Sequence, residues 1–369
     1  MRIVCQKSEL QRSVNIVSKA VALKSPNPIL EGLLVSTEEN NVVLYGSDDT
    51  LSIKNSTKAV VVEEGKIVLP ARILSEILAK FDDCELSMYT EDNNMVMECG
   101  HSKTTLCCLD AEMYPAFPEY DATNGILMFA EKMVSMIDQT VFATSISEDK
   151  PILTGILVEI ESKSTKMVAL DGYRLAIREE NIESSIDHKE VIVPAKSMRE
   201  VARILPEDES DVKLFFGERM MSIVCGDTEI NTRVLQGDYI KYNNIIPDNF
   251  ITRVIVNRHE LYNSLERASI MARQTKTNVV NLNIDGETLT ITSNSEVGKA
   301  REELDINLTG KNLEISFNSR YLLDVLKEVD DEEIVFDLNT AISPCVIRPI
   351  SGNSFLYMVL PVKTSNTNV

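Results

Sequence analysis

Three segments of this chain repeat one another along its whole length, and that repeat restricts the fold more than any single motif does. Leu69-Pro70-Ala71-Arg72-Ile73-Leu74, Val193-Pro194-Ala195-Lys196-Ser197-Met198 and Phe317-Asn318-Ser319-Arg320-Tyr321-Leu322 place Pro70, Pro194 and Asn318 at two successive intervals of 124 residues. Proline suits a first helical turn and asparagine a cap, so each position reads as a helix start. Apolar residues then follow at three- and four-residue steps: Ile73, Ile77, Leu78, Phe81; Met198, Val201, Ala202, Leu205; Tyr321, Leu322, Val325, Leu326, Val329. The spacing predicts helices over about 71–82, 195–206 and 319–330.

A second helix precedes each of these, over about 7–22, 131–145 and 257–273, with apolar stripes Leu10, Val14, Val17, Val21; Val134, Ile137, Val141; and Leu261, Leu265, Ala268. Pro28-Ile29-Leu30-Glu31-Gly32 recurs as Pro151-Ile152-Leu153-Thr154-Gly155, and Cys99-Gly100 as Cys225-Gly226. Between helices the period falls to two: Leu282 to Ile284 and Leu289 to Thr292 read as strands flanking an Asp285-Gly286 turn. Each unit is therefore helix, strands, helix, strands, and the fold class is α+β in three tandem copies. Turn-rich segments at 114–125 and 243–249 set expected domains at 1–122, 123–247 and 248–369.

At 369 residues a chain usually divides into several cores, in keeping with the repeat. No run is apolar enough to span a bilayer and the N-terminus lacks a signal-like apolar stretch, so a cytoplasmic protein is expected. The seven cysteines (5, 84, 99, 107, 108, 225, 345) show no CxxC pair and no companion histidine at ligand spacing, which predicts buried structural thiols, no metal and no cofactor.

The net charge of −20 opposes nucleic-acid binding on average, but charge can be segregated. The six helical segments together carry +3, which leaves −23 on the rest of the chain. Arg72, Lys196, Arg199, Arg203 and Arg273 are the candidate phosphate contacts on them, and Lys24, Lys150 and Lys276 follow the first helix of each copy at intervals of 126. If all six helices faced inward, packing them about 8–10 Å apart would close a circle too narrow for a duplex about 20 Å wide. Twelve would leave a hole of roughly 25–30 Å, which requires two chains.

With the repeat, Lys24-Ser25-Pro26-Asn27-Pro28-Ile29-Leu30, Leu170-Asp171-Gly172-Tyr173-Arg174-Leu175-Ala176 and the closing Tyr357-Met358-Val359-Leu360-Pro361-Val362-Lys363, the chain resembles the bacterial sliding clamps, the beta subunits of DNA polymerase III, from end to end. The resemblance implies a head-to-tail homodimeric ring of six domains, helices lining the inside and antiparallel sheets outside. Such a ring surrounds duplex DNA without reading its sequence and tethers the replicative polymerase, the clamp loader and other proteins carrying a clamp-binding peptide. It implies an apolar peptide cleft at Leu153, Leu170, Gly172, Arg174, Leu175, Pro247, Ile342, Met358, Leu360, Pro361 and Val362, with Arg174 orienting the peptide. It also implies DNA contacts at Lys24, Ser147 and Lys150, and a dimer contact through Thr104 and Leu106 of the first copy and Ile270 and Met271 of the third. Thr104 stands where some members carry an aromatic, and Leu170 where threonine is usual.

An enzyme is the competing class, with Asp48-Asp49 and Asp171 as its best candidates. No phosphate loop, paired metal histidines or Gly-x-Ser-x-Gly elbow accompanies them, and adjacent aspartates are ordinary turn residues, so a non-catalytic accessory subunit is expected. A repeat scaffold that binds only proteins and never surrounds DNA is the second alternative.

Overall fold

The computed structural model describes residues 1–363 apart from 124, 148 and 276. The described chain packs as two compact units, Met1–Val134 with Lys196–Val234, and Ser135–Ala195 with the chain from Leu235 onward. The second copy contributes to both.

All six expected helices form: α1 (Lys7–Val17), α2 (Ala71–Lys80), α3 (Ala130–Val141), α4 (Ala195–Ile204), α5 (Arg258–Ala272) and α6 (Ser319–Glu328). Each ends one to five residues before its expected end. After Val17 the chain tightens into a 3₁₀ turn at Ser18–Ala20, and Phe81 has already returned to extended backbone. Asn257 and Asn318 cap α5 and α6 by accepting from the Glu260 and Arg320 amides, which satisfies one orphan donor at each helix start. Pro70 and Pro194 differ from the expectation: each is the last residue of a strand, one position before the helix. With no N–H to leave unpaired there, proline fits that exit from the sheet.

The strands form four antiparallel sheets. In the first unit a five-stranded sheet runs in the order Val60–Glu63, Arg2–Gln6, Glu85–Glu91, Asn94–Cys99, Ser102–Cys107, and an eight-stranded sheet joins strands of the first and second copies. In the second unit a nine-stranded sheet joins the second and third copies, and a four-stranded sheet ends on Gly298–Asp305. Two seams therefore unite the copies. Leu51–Lys58 pairs with Thr228–Arg233, with Ile53 opposite Ile230, and Arg174–Asn181 pairs with Phe355–Val359, with Ala176 opposite Tyr357.

The expected third-copy hairpin is present as Val279–Asp285 and Thr288–Ser295, but Asp285 pairs with Thr288, so the turn is Gly286-Glu287. Gly286 takes φ +57°, the left-handed conformation that glycine adopts without steric cost, and this fixes the register one residue on. The thiol expectation needs a larger correction, because Cys84 and Cys99 are disulfide-bonded, their Cα atoms 6.1 Å apart. The pairing of Leu86 with Cys99 brings the two together across the sheet, a proximity that a fifteen-residue spacing does not announce. Cys5, Cys108 and Cys345 are buried free thiols, whereas Cys107 is exposed. No helix among the described residues is long and apolar enough to cross a membrane.

Candidate partner-peptide cleft and nucleic-acid contacts

Side chains alternate across a strand, so the second seam sorts its residues onto two faces. Tyr357 donates from its hydroxyl toward Gln139 of α3, which puts it and its partner Ala176 on the helix side. Leu175, Ile177, Leu356 and Met358 therefore face the other way. There Leu153, Leu157, Val168, Leu170, Leu175, Ile192, Tyr242, Val346 and Met358 form one buried cluster, with Ile152, Ile177, Leu235, Tyr239, Ile246 and Leu356 half-buried around it.

Four predicted cleft residues, Leu153, Leu170, Leu175 and Met358, thus come together, but as a floor at most 4% exposed rather than as an open slot. The surface within reach of a ligand is the half-buried rim. Sequence reasoning missed Ile192, Tyr239, Tyr242, Ile246 and Val346. Tyr242 and Ile246 were legible in principle, since Tyr242-Asn243-Asn244-Ile245-Ile246 places three large apolar side chains in a turn-rich linker. Tyr242 donates to Glu159 at 2.6 Å, and burial, then that carboxylate, push its phenol well above the ordinary tyrosine range. The linker is thereby pinned to the sheet.

Gly172 sits in the turn before this strand with φ +92°, where a side chain would be strained. Asp171 closes the turn, accepting from the Tyr173 and Arg174 amides at 2.8 and 3.0 Å. Leu360 donates its amide to the Tyr173 carbonyl and Val362 to the Ser316 carbonyl, so the closing Leu360-Pro361-Val362 is half-buried and tied down at both ends. Pro247 is half-buried beside Phe250 and Arg253, and Ile342 is 61% exposed on its loop; neither belongs to the cluster.

Arg174 stands apart from that cluster. It lies on the helix side, in register with Val359, and its guanidinium is already occupied: Nε on Asp171 at 3.1 Å, Nη1 on Asp324 of α6 at 2.5 Å, Nη2 on the Phe142 carbonyl at 2.6 Å. The Tyr321 ring lies 4.7 Å from it and completes the cage. Arg174 therefore fastens α6 to the end of α3.

The candidate phosphate contacts are exposed, but most have carboxylate neighbours. Arg72 pairs with Glu76, Lys196 with Asp48, Arg203 with Glu200 and Arg273 with Glu266. Such exposed pairs are weak and exchangeable, so they moderate the local field without removing the cations from solvent. Arg199 and Arg203 lie one turn apart on α4, and burial, then the charge of Arg203, hold Arg199 below the usual arginine range. Asp48, offered as a catalytic candidate, accepts from the Thr50 and Leu51 amides and closes a turn.

The recurrent-lysine reading fails on register. The 3₁₀ turns Pro28–Glu31 and Pro151–Thr154 are equivalent, and Gly32, Gly155 and Val279 open corresponding strands. Lys24, Lys150 and Lys276 then stand eight, five and three residues before those openings, so the period of 126 does not place them at one site. The structural counterpart of Lys24 is Ser147, whose hydroxyl donates to Asp149 at 2.9 Å; Lys24 and Lys150 are exposed, and Lys276 lies outside the described residues.

Sequence models for the DNA polymerase III beta subunit match successive parts of the chain: N-terminal domain over 1–118, central domain over 128–241 and C-terminal domain over 243–363. Beta sliding clamps of Staphylococcus epidermidis and Staphylococcus aureus are each 30% identical over 99% of this chain and 100% of their own length. The DNA polymerase sliding clamp from Bacillus subtilis superposes with a TM-score of 0.95 at 31% identity, covering 99% of both chains. A putative DNA polymerase III beta subunit from Eubacterium rectale gives 0.94 at 29%, over 99% of this chain and 100% of that one. The chain belongs to the beta sliding clamps, the DNA polymerase III beta subunit family.

Proposed function

We propose that this protein is a DNA polymerase processivity factor: a non-catalytic ring of two head-to-tail subunits, each of three clamp domains at 1–122, 123–247 and 248–369, that surrounds duplex DNA and slides without sequence preference. The end-to-end match to beta sliding clamps carries this reading. Two strands left open at sheet ends support the dimer. Gly298–Asp305 of the third copy corresponds to Leu51–Lys58 and Arg174–Asn181, and Ser102–Cys107 of the first to Thr228–Arg233 and Phe355–Val359. Both members of a third seam are thus present in one chain, and a second copy of the chain would satisfy them. Leu106 and Thr104 lie on one of these strands. Ile270 is 53% exposed on α5, which packs beside the other, and the Met271 sulfur occupies the space a side chain at Gly298 would need.

Loaded by a clamp loader onto nicked circular DNA, the protein is expected to remain bound through gel filtration and to be lost when the circle is linearised. Retention on the linear product would exclude encirclement, and failure to bind the circle at all would leave the protein-only scaffold.

Partner peptides dock, on this reading, against the rim over the buried cluster, and tethering then acts through effective concentration. Ile246→Asp places a carboxylate on that rim without opening the core. Binding of a fluorescein-labelled nine-residue peptide with two neighbouring large apolar residues should weaken at least about thirtyfold by anisotropy, the loss expected when an apolar anchor site is charged. Unchanged affinity would place the peptide elsewhere.

A further inference from the structure

The two seams inside the chain fix the register of the third. Equivalent positions follow from equivalent hairpins: Gly46 opposite Ile53, Ala169 opposite Ala176 and Ser293 opposite Ala300 each lie at the same depth from the preceding turn. On the other side, the Cys99-Gly100 and Cys225-Gly226 turns make Thr104 the counterpart of Ile230. Since Ile53 faces Ile230 and Ala176 faces Tyr357, Ala300 must face Thr104. One residue further along each strand, the first seam sets Lys54 opposite Glu229, an ion pair at 3.2 Å, and the second sets Ile177 opposite Leu356, an apolar pair.

The face is consistent too. Ser293 donates to the Ala268 carbonyl of α5, so its partner Ala300 is on the helix side and Arg301 on the other. Gly46 packs on Val17 at the end of α1, which leaves Lys54 likewise on the side away from its helix.

Resting on the dimer proposed above, we infer that Arg301 stands directly across from Lys103 of the partner subunit, so the seam between subunits carries like charge where the seams within the chain carry an ion pair or an apolar pair. Cross-strand neighbours lie about 4.5–5.5 Å apart at Cβ, close enough for like charges to oppose pairing. Each cation is already paired within its own subunit, Arg301 with Glu303 at 2.5 Å two residues along its strand and Lys103 with Glu98 at 2.9 Å across its hairpin. The row across the seam is thus Glu98, Lys103, Arg301 and Thr292, with Glu303 on the diagonal from Lys103. The next outward-facing pair, Lys299 opposite Thr105, adds a third cation and no acid.

The test is the dimer dissociation constant by sedimentation equilibrium. Arg301→Glu should tighten the dimer about tenfold, because both seams change from repulsion to attraction. It also makes each subunit more acidic by two charges, which as a general effect would weaken association, so the sign of the change is diagnostic. Arg301→Met should give an intermediate value. Arg301→Glu combined with Lys103→Glu should lose the gain, since like charge is restored. Because 67% of the Arg301 side chain is exposed, folding is not at stake. A dimer of Arg301→Glu no tighter than wild type overturns the inference while the dimer stands. Failure of the underlying reading looks different: a monomeric wild type, or an Ile270→Asp dimer as tight as wild type.

Discussion

Arg174→Ala is expected to cost about 3 kcal/mol of unfolding free energy, because it strips the countercharge from two carboxylates and the donor from a carbonyl at once. Asp171 and Asp324 would remain, the former only 14% exposed, and the Phe142 carbonyl would lose its partner. Chemical denaturation should show the loss in the transition that reports the second unit. Arg174→Lys should recover less than half, since one ammonium cannot reach three acceptors set in a fork. If peptide affinity fell sharply in Arg174→Lys at unchanged stability, the residue would be a ligand contact after all and the fastening role would be wrong.

The second large effect lies at the exposed end of α5. Ile270→Asp should raise the dimer dissociation constant by about a hundredfold or more, the loss typical of charging a desolvated anchor, and DNA retention should vanish with it. Stability of the isolated chain should hold within about 0.5 kcal/mol, as for other surface changes. Sedimentation and thermal melting separate the two: a lower Tm with an intact dimer would contradict the assignment.

What could be read from the sequence was local or internal. The helices were legible because an apolar stripe at three- and four-residue steps needs no partner to be recognised, and the three copies checked one another. The seams were not legible, because pairing Leu51–Lys58 with Thr228–Arg233 joins residues some 175 apart, and nothing in either strand names the other. The cleft was half legible. Leu175 and Ile177 alternate with Arg174 and Ala176, and that alternation already assigns Arg174 to the opposite face. The lysine period misleads for a related reason: helix ends vary between copies, whereas the opening of the following strand is a fixed reference. The disulfide and the Gly286-Glu287 turn depend on strand register, which sequence spacing leaves undetermined.

The placement of the two open strands, at the sheet ends of opposite terminal copies, also has a kinetic meaning. A seam within the chain is held by covalent connection, so its strength hardly affects how long a ring survives. In the proposed dimer, once one intersubunit seam has formed, the other closes at an effective concentration on the order of millimolar. Each seam can then be individually weak while the closed form persists, and parting one of them leaves an open chain of six domains that recloses before it dissociates. Gate and lifetime become separable quantities: the first is set by one row of side chains, the second by the product of two.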